Sequence, residues 1–307
     1  MNWFSWIRPV KKKQEIAPAA AAQPMEPRNE IPSLPEDVPD FLPWLLDVEP
    51  LQEIESSFQE LRALEAVKKT LALPTIPQNL LPRANALVPQ LIALMRESAL
   101  PKRAVAERVS KDAKLTAEVM RLANSPYYRS QEEVATLMQA ITLIGSTGLQ
   151  TAIARVVLKP ILQTTSNPKL ADMEERLWEH SELVAQHAAA LSPSAGLQSI
   201  EGYIAGLLYN TGWKVALRSL DQAGIALESP LSASFSIAMT EMAHQLFGLT
   251  TSEWEVTPGF TSFSVDAREF GLRRSKHPMT RVLQSAQAIA MGEIVSGMSQ
   301  TMPAPLL

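Results

Sequence analysis

The chain has 307 residues, 46% of them hydrophobic and 20% charged, with a formal net charge of -4 and a pI near 5.7. That balance permits a sizeable core and leaves no general electrostatic footprint for nucleic acid. Cysteine is absent, which excludes disulfides and thiolate metal sites. No apolar run approaches the roughly 20 residues that span a bilayer, and no positive-then-hydrophobic signal order is present.

Residues 1–40 are expected to be disordered. Pro18, Pro24, Pro27, Pro32, Pro35 and Pro39 remove backbone donors and favour extended, semi-stiff geometry. Ahead of them, Trp3, Phe4 and Trp6 precede Lys11, Lys12 and Lys13. This aromatic–basic tip is a candidate docking element for a partner or a membrane interface; the bland alternative is a floppy terminus. The apolar cluster Phe41–Leu46 is expected to pack onto the domain that follows.

From Pro50 the pattern turns helical, with Leu51, Ile54, Phe58 and Leu61 predicted as the buried stripe. Glu53, Glu55, Glu60 and Arg62 fall on the other faces. A helix opening at Pro89 would bury Leu91, Ile92 and Met95. Val105 and Val109 mark another helix, and Leu115, Val119 and Leu122 the next. Leu137, Ala140, Ile141 and Ile144 mark one that Gly145 ends. Leu149, Ile153, Val156 and Val157 then run to Pro160. A second group follows, with Trp178, His180, Leu183, Val184 and His187 on one helix, then Ile200–Leu208 and Trp213–Leu220. The region 250–278 reads as a long irregular connection, and Val282, Ser285, Ala286 and Ile289 as a final helix. Residues 299–307 are expected to fray. No segment alternates with period two, so the predicted fold class is all-α.

Several motifs share one order. Val109-Ser110-Lys111-Asp112-Ala113-Lys114-Leu115 leads to Leu122-Ala123-Asn124-Ser125-Pro126-Tyr127-Tyr128. Next comes Gln139-Ala140-Ile141-Thr142-Leu143-Ile144-Gly145, then Trp178-Glu179-His180-Ser181. This arrangement resembles the HDOD family of bacterial signalling proteins. The resemblance implies a helical domain over 41–298, with subdomains about 41–165 and 170–298. It also implies a regulatory role exerted by binding partner proteins. The expected location is the cytoplasm, with the tip as a route to peripheral contact at the inner membrane.

Ala205-Gly206-Leu207-Leu208-Tyr209-Asn210-Thr211-Gly212 is similar to the metal-binding step of HD-type phosphohydrolases, where a helix ends in a His-Asp pair before a Gly turn. Tyr209 and Asn210 occupy that pair's place. The same resemblance puts Gln287 at a late-helix Asp and Thr251 at a further His, leaving His180 as the one retained ligand. A phenol and a carboxamide are poor ligands for a hard divalent cation. The expectation is therefore no catalytic residue, no metal and no cofactor. The alternatives left open are a phosphohydrolase with atypical ligands and a nucleic-acid-binding regulator.

Trp178, His180, Tyr209 and Asn210 are the candidate partner or ligand groove; the competing reading has Tyr209 filling the vacated metal cavity as core. Arg273, Arg274 and Lys276 form a candidate anion patch, against the commoner meaning of a solvated basic run. His187 lies two turns beyond His180, about 10 Å along the axis. His244 and His277 read as isolated. Asn124 is expected to end its helix in left-handed geometry, with Tyr127 and Tyr128 pinning the turn.

Overall fold

The computed structural model describes residues 40–81, 102–125, 128, 133–162, 168–252 and 258–297. Among these residues the fold is all-α, as expected; one parallel bridge, Gln52 to Ser232, is the sole strand-like pairing. The helices are α1 (Phe41–Leu46), α2 (Phe58–Leu71), α3 (Lys102–Val109), α4 (Ala113–Ala123), α5 (Leu137–Leu162) and α6 (Pro168–Leu191). After a 3-10 turn at Ser192–Ala195 come α7 (Ser199–Leu208), α8 (Thr211–Gln222), α9 (Ala233–Ser252), α10 (Pro258–Arg274) and α11 (Pro278–Ser296). No single described helix is long and apolar enough to cross a membrane.

Two cores organise these helices. The smaller gathers Val109, Val119, Leu122, Ala140, Ile141 and Ile144 from α3, α4 and the first arm of α5. The larger joins Leu42, Leu45, Ala63 and Val67 to α6–α11. α5 contributes to both cores. Gly145, at φ 64°, breaks this helix, and its two arms meet at 100°. Glycine adopts that left-handed geometry without a Cβ penalty. Ile153, Val157 and Leu158 on the second arm then enter the larger core, and the helix runs two residues past Pro160.

α2 corrects the predicted stripe. It begins at Phe58, not Pro50, and buries Glu60, Ala63, Val67 and Thr70, while Ile54, Phe58 and Leu61 are exposed. The cause is a capping box that reaches across the chain. Ser57 Oγ accepts from Glu60 N–H (3.2 Å), and the Glu60 carboxylate accepts from Ser57 N–H (2.6 Å). The same carboxylate also accepts from Ser232 N–H at 2.7 Å. Glu60 thus clamps the start of α2 to the start of α9. Polar satisfaction, not apolar spacing, fixed which side faces inward.

Two further expectations fail for local reasons. Residues 258–274 are helical apart from a kink at Gly271 (φ 64°), with Phe260, Phe263, Ala267 and Leu272 buried. Asn124 is not left-handed (φ -94°); its amide accepts from Val134 N–H (2.8 Å) and donates to Val134 O (3.1 Å), closing the loop by side-chain bonds. Tyr128 packs on the smaller core. The Pro89 helix, Pro126 and Tyr127 lie outside the described residues.

Glu60→Ala is expected to cost about 2–4 kcal/mol, because it strands two backbone N–H donors that cost roughly 1–3 kcal/mol each when buried unpaired. Leu61→Ser should stay within about 0.5 kcal/mol. Urea denaturation of both variants checks the contrast.

Candidate functional site

The site is built at the junction of α7 and α8. Tyr209 closes α7 and Asn210 opens α8. Asparagine is a favoured N-cap residue, yet Asn210 makes no side-chain cap. Its Nδ2 turns to α6, contacting Leu177 O (2.9 Å), His180 Nδ1 (2.9 Å) and Ser181 Oγ (3.0 Å). Since Nδ1 accepts, His180 is the neutral Nε2–H tautomer. Burial pushes its pKa down to about 3, outweighing the Asn210 bond.

Tyr209 stands between two imidazoles. Its ring lies 5.9 Å from that of His180 and 5.7 Å from that of His244, and its hydroxyl bonds His244 Nε2 at 3.1 Å. Burial raises the Tyr209 phenol well above its ordinary value and lowers His244 to about 4. His244, which read as isolated in sequence, is therefore part of the site. Gly212 brings it there: a Cβ at 212 would collide with the Ala243 carbonyl, so only glycine lets α9 approach this closely.

α1 covers the remaining side. Phe41 packs on His180 (4.7 Å between centroids) and Trp213 (5.3 Å), and Trp44 lies 5.9 Å from His180. Arg176 holds this short helix by donating to Leu45 O at 3.0 Å and pairing with Asp47 at 3.2 Å. The expected packing of Phe41–Leu46 is thus observed, and its target is the site. Below it, buried Lys214 pairs with Glu174 at 3.2 Å. Burial draws Lys214 down to about 8 despite that carboxylate.

The sequence resemblance to HD-type phosphohydrolases implies a divalent metal, and these residues do not fit one. His180 Nδ1 is held by Asn210 and His244 Nε2 by Tyr209. Among the described residues no three His, Cys, Asp or Glu side chains converge to hold an ion. Thr251 bonds Phe247 O and Ser264, and Gln287, half-buried on α11, makes no hydrogen bond to the group.

Trp178 is the residue of the predicted groove that falls elsewhere. Two positions from His180, it is rotated about 200° around α6. It lies under Arg155 and Lys159, at 5.9 and 5.6 Å from ring centroid to cation. Arg155 also pairs with Glu118 (2.8 Å) and with Glu182, joining α4 to α6. Burial raises the Glu182 carboxyl above its usual range. His180, Tyr209 and Asn210 do meet, as buried side chains and not as the walls of an open groove. His187 pairs with Glu293 at 3.1 Å, and His277 caps α11 by accepting from Met279 N–H. Arg273, Arg274 and Lys276 are exposed around the C-terminus of α10, where cations complement the helix dipole. Trp3, Phe4, Trp6, Lys11, Lys12 and Lys13 lie outside the described residues.

The HDOD domain model matches residues 81–254, more than half the chain. The chain belongs to the HDOD domain family. An uncharacterized protein of Treponema pallidum (strain Nichols) is 27% identical over 106 residues, covering 34% of this chain and 20% of the relative. The match thus spans about a fifth of that relative's length. A crystal structure from Shewanella amazonensis SB2B, provisionally described as a metal-dependent phosphohydrolase, superposes with a TM-score of 0.52 at 20% identity. It covers 78% of this chain and 85% of that one, and the likeness shows the fold. An HDOD domain protein of unknown function from Geobacter sulfurreducens gives a TM-score of 0.42 at 19% identity over 78% and 95% of the two chains.

Tyr209→Ala should cost about 3–5 kcal/mol, as for other buried aromatic truncations, and Tyr209→Phe about 1 kcal/mol for the lost hydrogen bond. Stability should also fall on acidification. Each histidine has a folded pKa (about 3 for His180, about 4 for His244) below its unfolded value of 6.5. The unfolded state therefore binds more protons between those values, and stability drops as pH falls below 6.5. From pH 7 to pH 5 this amounts to about 2 kcal/mol per histidine. Denaturant midpoints at the two pH values measure it, and a flat profile contradicts buried neutral imidazoles.

Proposed function

We propose that this HDOD protein is a non-catalytic signal-transduction component that acts by binding partner proteins through a degenerate HD-type scaffold. One observation carries the reading: the residues that the resemblance puts at the metal position are hydrogen-bonded in pairs, His180 to Asn210 and His244 to Tyr209, and His180 is roofed by Phe41 and Trp44. A hydrolytic metal needs an open coordination position for water and substrate. Here one nitrogen of each imidazole is engaged, His180 Nδ1 by an amide and His244 Nε2 by a phenol, and no carboxylate joins them among the described residues. The phosphohydrolase description of the Shewanella protein favours a hydrolase as the second reading, and the donor set weighs against it. With chemistry removed, what the scaffold offers is surface, in keeping with a regulatory role in a bacterial circuit.

Purified protein is expected to carry no stoichiometric Fe, Mn or Zn and to turn over neither phosphomonoesters nor cyclic dinucleotides. Tyr209→His/Asn210→Asp should remain inactive, because the other ligands are also missing. Elemental analysis and phosphate-release assays with each metal added decide this; bound metal with turnover would sink the proposal. Cross-linking in native lysate should recover a defined heteromeric complex, and recovery of uncomplexed protein alone would contradict the partner-binding half.

A further inference from the structure

The passage between the two cores is made of glycine and charge. The arms of α5, Leu137–Ser146 and Gly148–Pro160, meet at 100°. Nothing lies within 4 Å of where a Cβ on Gly145 would stand, so left-handed geometry and not crowding requires glycine there. At Gly148 a Cβ would lie 2.5 Å from Ile144 Cβ, so the bend itself excludes a side chain. The apolar contact across this elbow is small. The second arm gives the smaller core buried Ala152 and half-buried Leu149. Leu115 and Leu149 are, among the described residues, the partly buried hydrophobics packed against both cores.

Arg155 carries charge over the same boundary. Its Nε lies 2.8 Å from Glu118 Oε1 on α4, in the smaller core, and its Nη1 pairs with Glu182 on α6, in the larger. These side chains are 14, 15 and 18% exposed, sheltered enough that a charge left alone there would be costly. Parting Glu118 from Arg155 leaves neither alone. Glu118 also accepts from Arg121 of its own helix, at 2.7 and 3.0 Å. Arg155 keeps Glu182 and its place 5.9 Å from the Trp178 ring centroid. Each half of the bridge has a partner on its own side.

We propose that the smaller core is a hinged arm that swings about the Gly145–Gly148 elbow, and that the Glu118–Arg155 ion pair is the latch holding it closed on the larger core. A hinge needs a few residues that absorb a φ/ψ change, and a two-state element needs both states to be affordable in charge. α4 and the first arm of α5 move as one body, because Val119, Leu122, Ile141 and Ile144 stay packed together. Swinging out uncovers Leu115, Leu149 and Ala152, so a partner that takes this apolar strip selects the open angle. The inference stands independently of the metal-site reading.

Because the chain has no cysteine, nitroxides can be placed cleanly in the full-length protein. One pair, Lys114→Cys with Asp172→Cys, spans α4 and α6. A second, Lys114→Cys with Leu143→Cys, lies within the smaller core; all three positions are exposed. Pulsed electron paramagnetic resonance should give the otherwise unmutated chain a narrow spanning distance with a minor longer population. Glu118→Gln keeps the shape of the side chain and removes its charge. It should raise the longer population about fivefold, the range of a single ion pair, while the distance within the smaller core stays fixed. Glu107→Gln, which breaks the exposed Arg103–Glu107 pair on α3, should change neither distance. An unchanged spanning distribution in Glu118→Gln overturns the latch. Broadening of both distances overturns the hinge, because it reports unfolding of the smaller core and not its rotation. An equal response to Glu107→Gln also overturns the proposal, since it assigns the effect to general surface charge.

Discussion

The Asn210 carboxamide sets the character of this molecule, because it does with hydrogen bonds what a carboxylate and a metal would do with charge. Its Nδ2 gathers the Leu177 carbonyl, His180 Nδ1 and Ser181 Oγ, and so fastens the α7–α8 corner to the middle of α6. A carboxylate at this depth would need a cation to offset its desolvation. An amide is neutral and carries its own donors, so the corner closes without one. Burial keeps His180 uncharged, and Phe41 and Trp44 roof its ring.

The remaining helices follow from closing that corner. Gly212 admits α9 and delivers His244 to the Tyr209 hydroxyl. Glu60 ties α2 to the start of α9, so the helix that displays Phe58 and Leu61 is anchored to the one that supplies His244. Arg155 connects the smaller core through Glu118 and Glu182. The basic patch at Arg273, Arg274 and Lys276 has no bond to this arrangement and reads as a solvated helix end.

Much of this was legible in the sequence. The motif order from Leu122 to Gly145 pointed to the family, and His180, Tyr209 and Asn210, grouped from the sequence, do meet in the fold. What escaped was decided by tertiary packing or polar satisfaction. His244 lies 34 residues after Asn210, and nothing in its neighbourhood signals the close approach that Gly212 permits. The Trp178–Ser181 motif groups Trp178 with His180, whereas two helical positions point to nearly opposite faces. The α2 stripe failed because a buried carboxylate with three hydrogen bonds outcompeted apolar periodicity. In α10, exposed Val265 and Phe270 beside buried Phe260, Phe263 and Ala267 blurred the period that would have marked a helix.

The central claim, that His180, Asn210, Tyr209 and His244 form a neutral hydrogen-bonded core, can be read from His180 itself. With four histidines in the chain, 15N imidazole resonances can be assigned by single substitutions and followed through pH and metal titrations. The account predicts that His180 remains a neutral Nε2–H tautomer from pH 7.5 to pH 5, as its pKa of about 3 requires. Its shifts should not move when Zn2+ or Mn2+ is added. Protonation near pH 6.5, or a stoichiometric metal-induced change at His180 and His244, would contradict it.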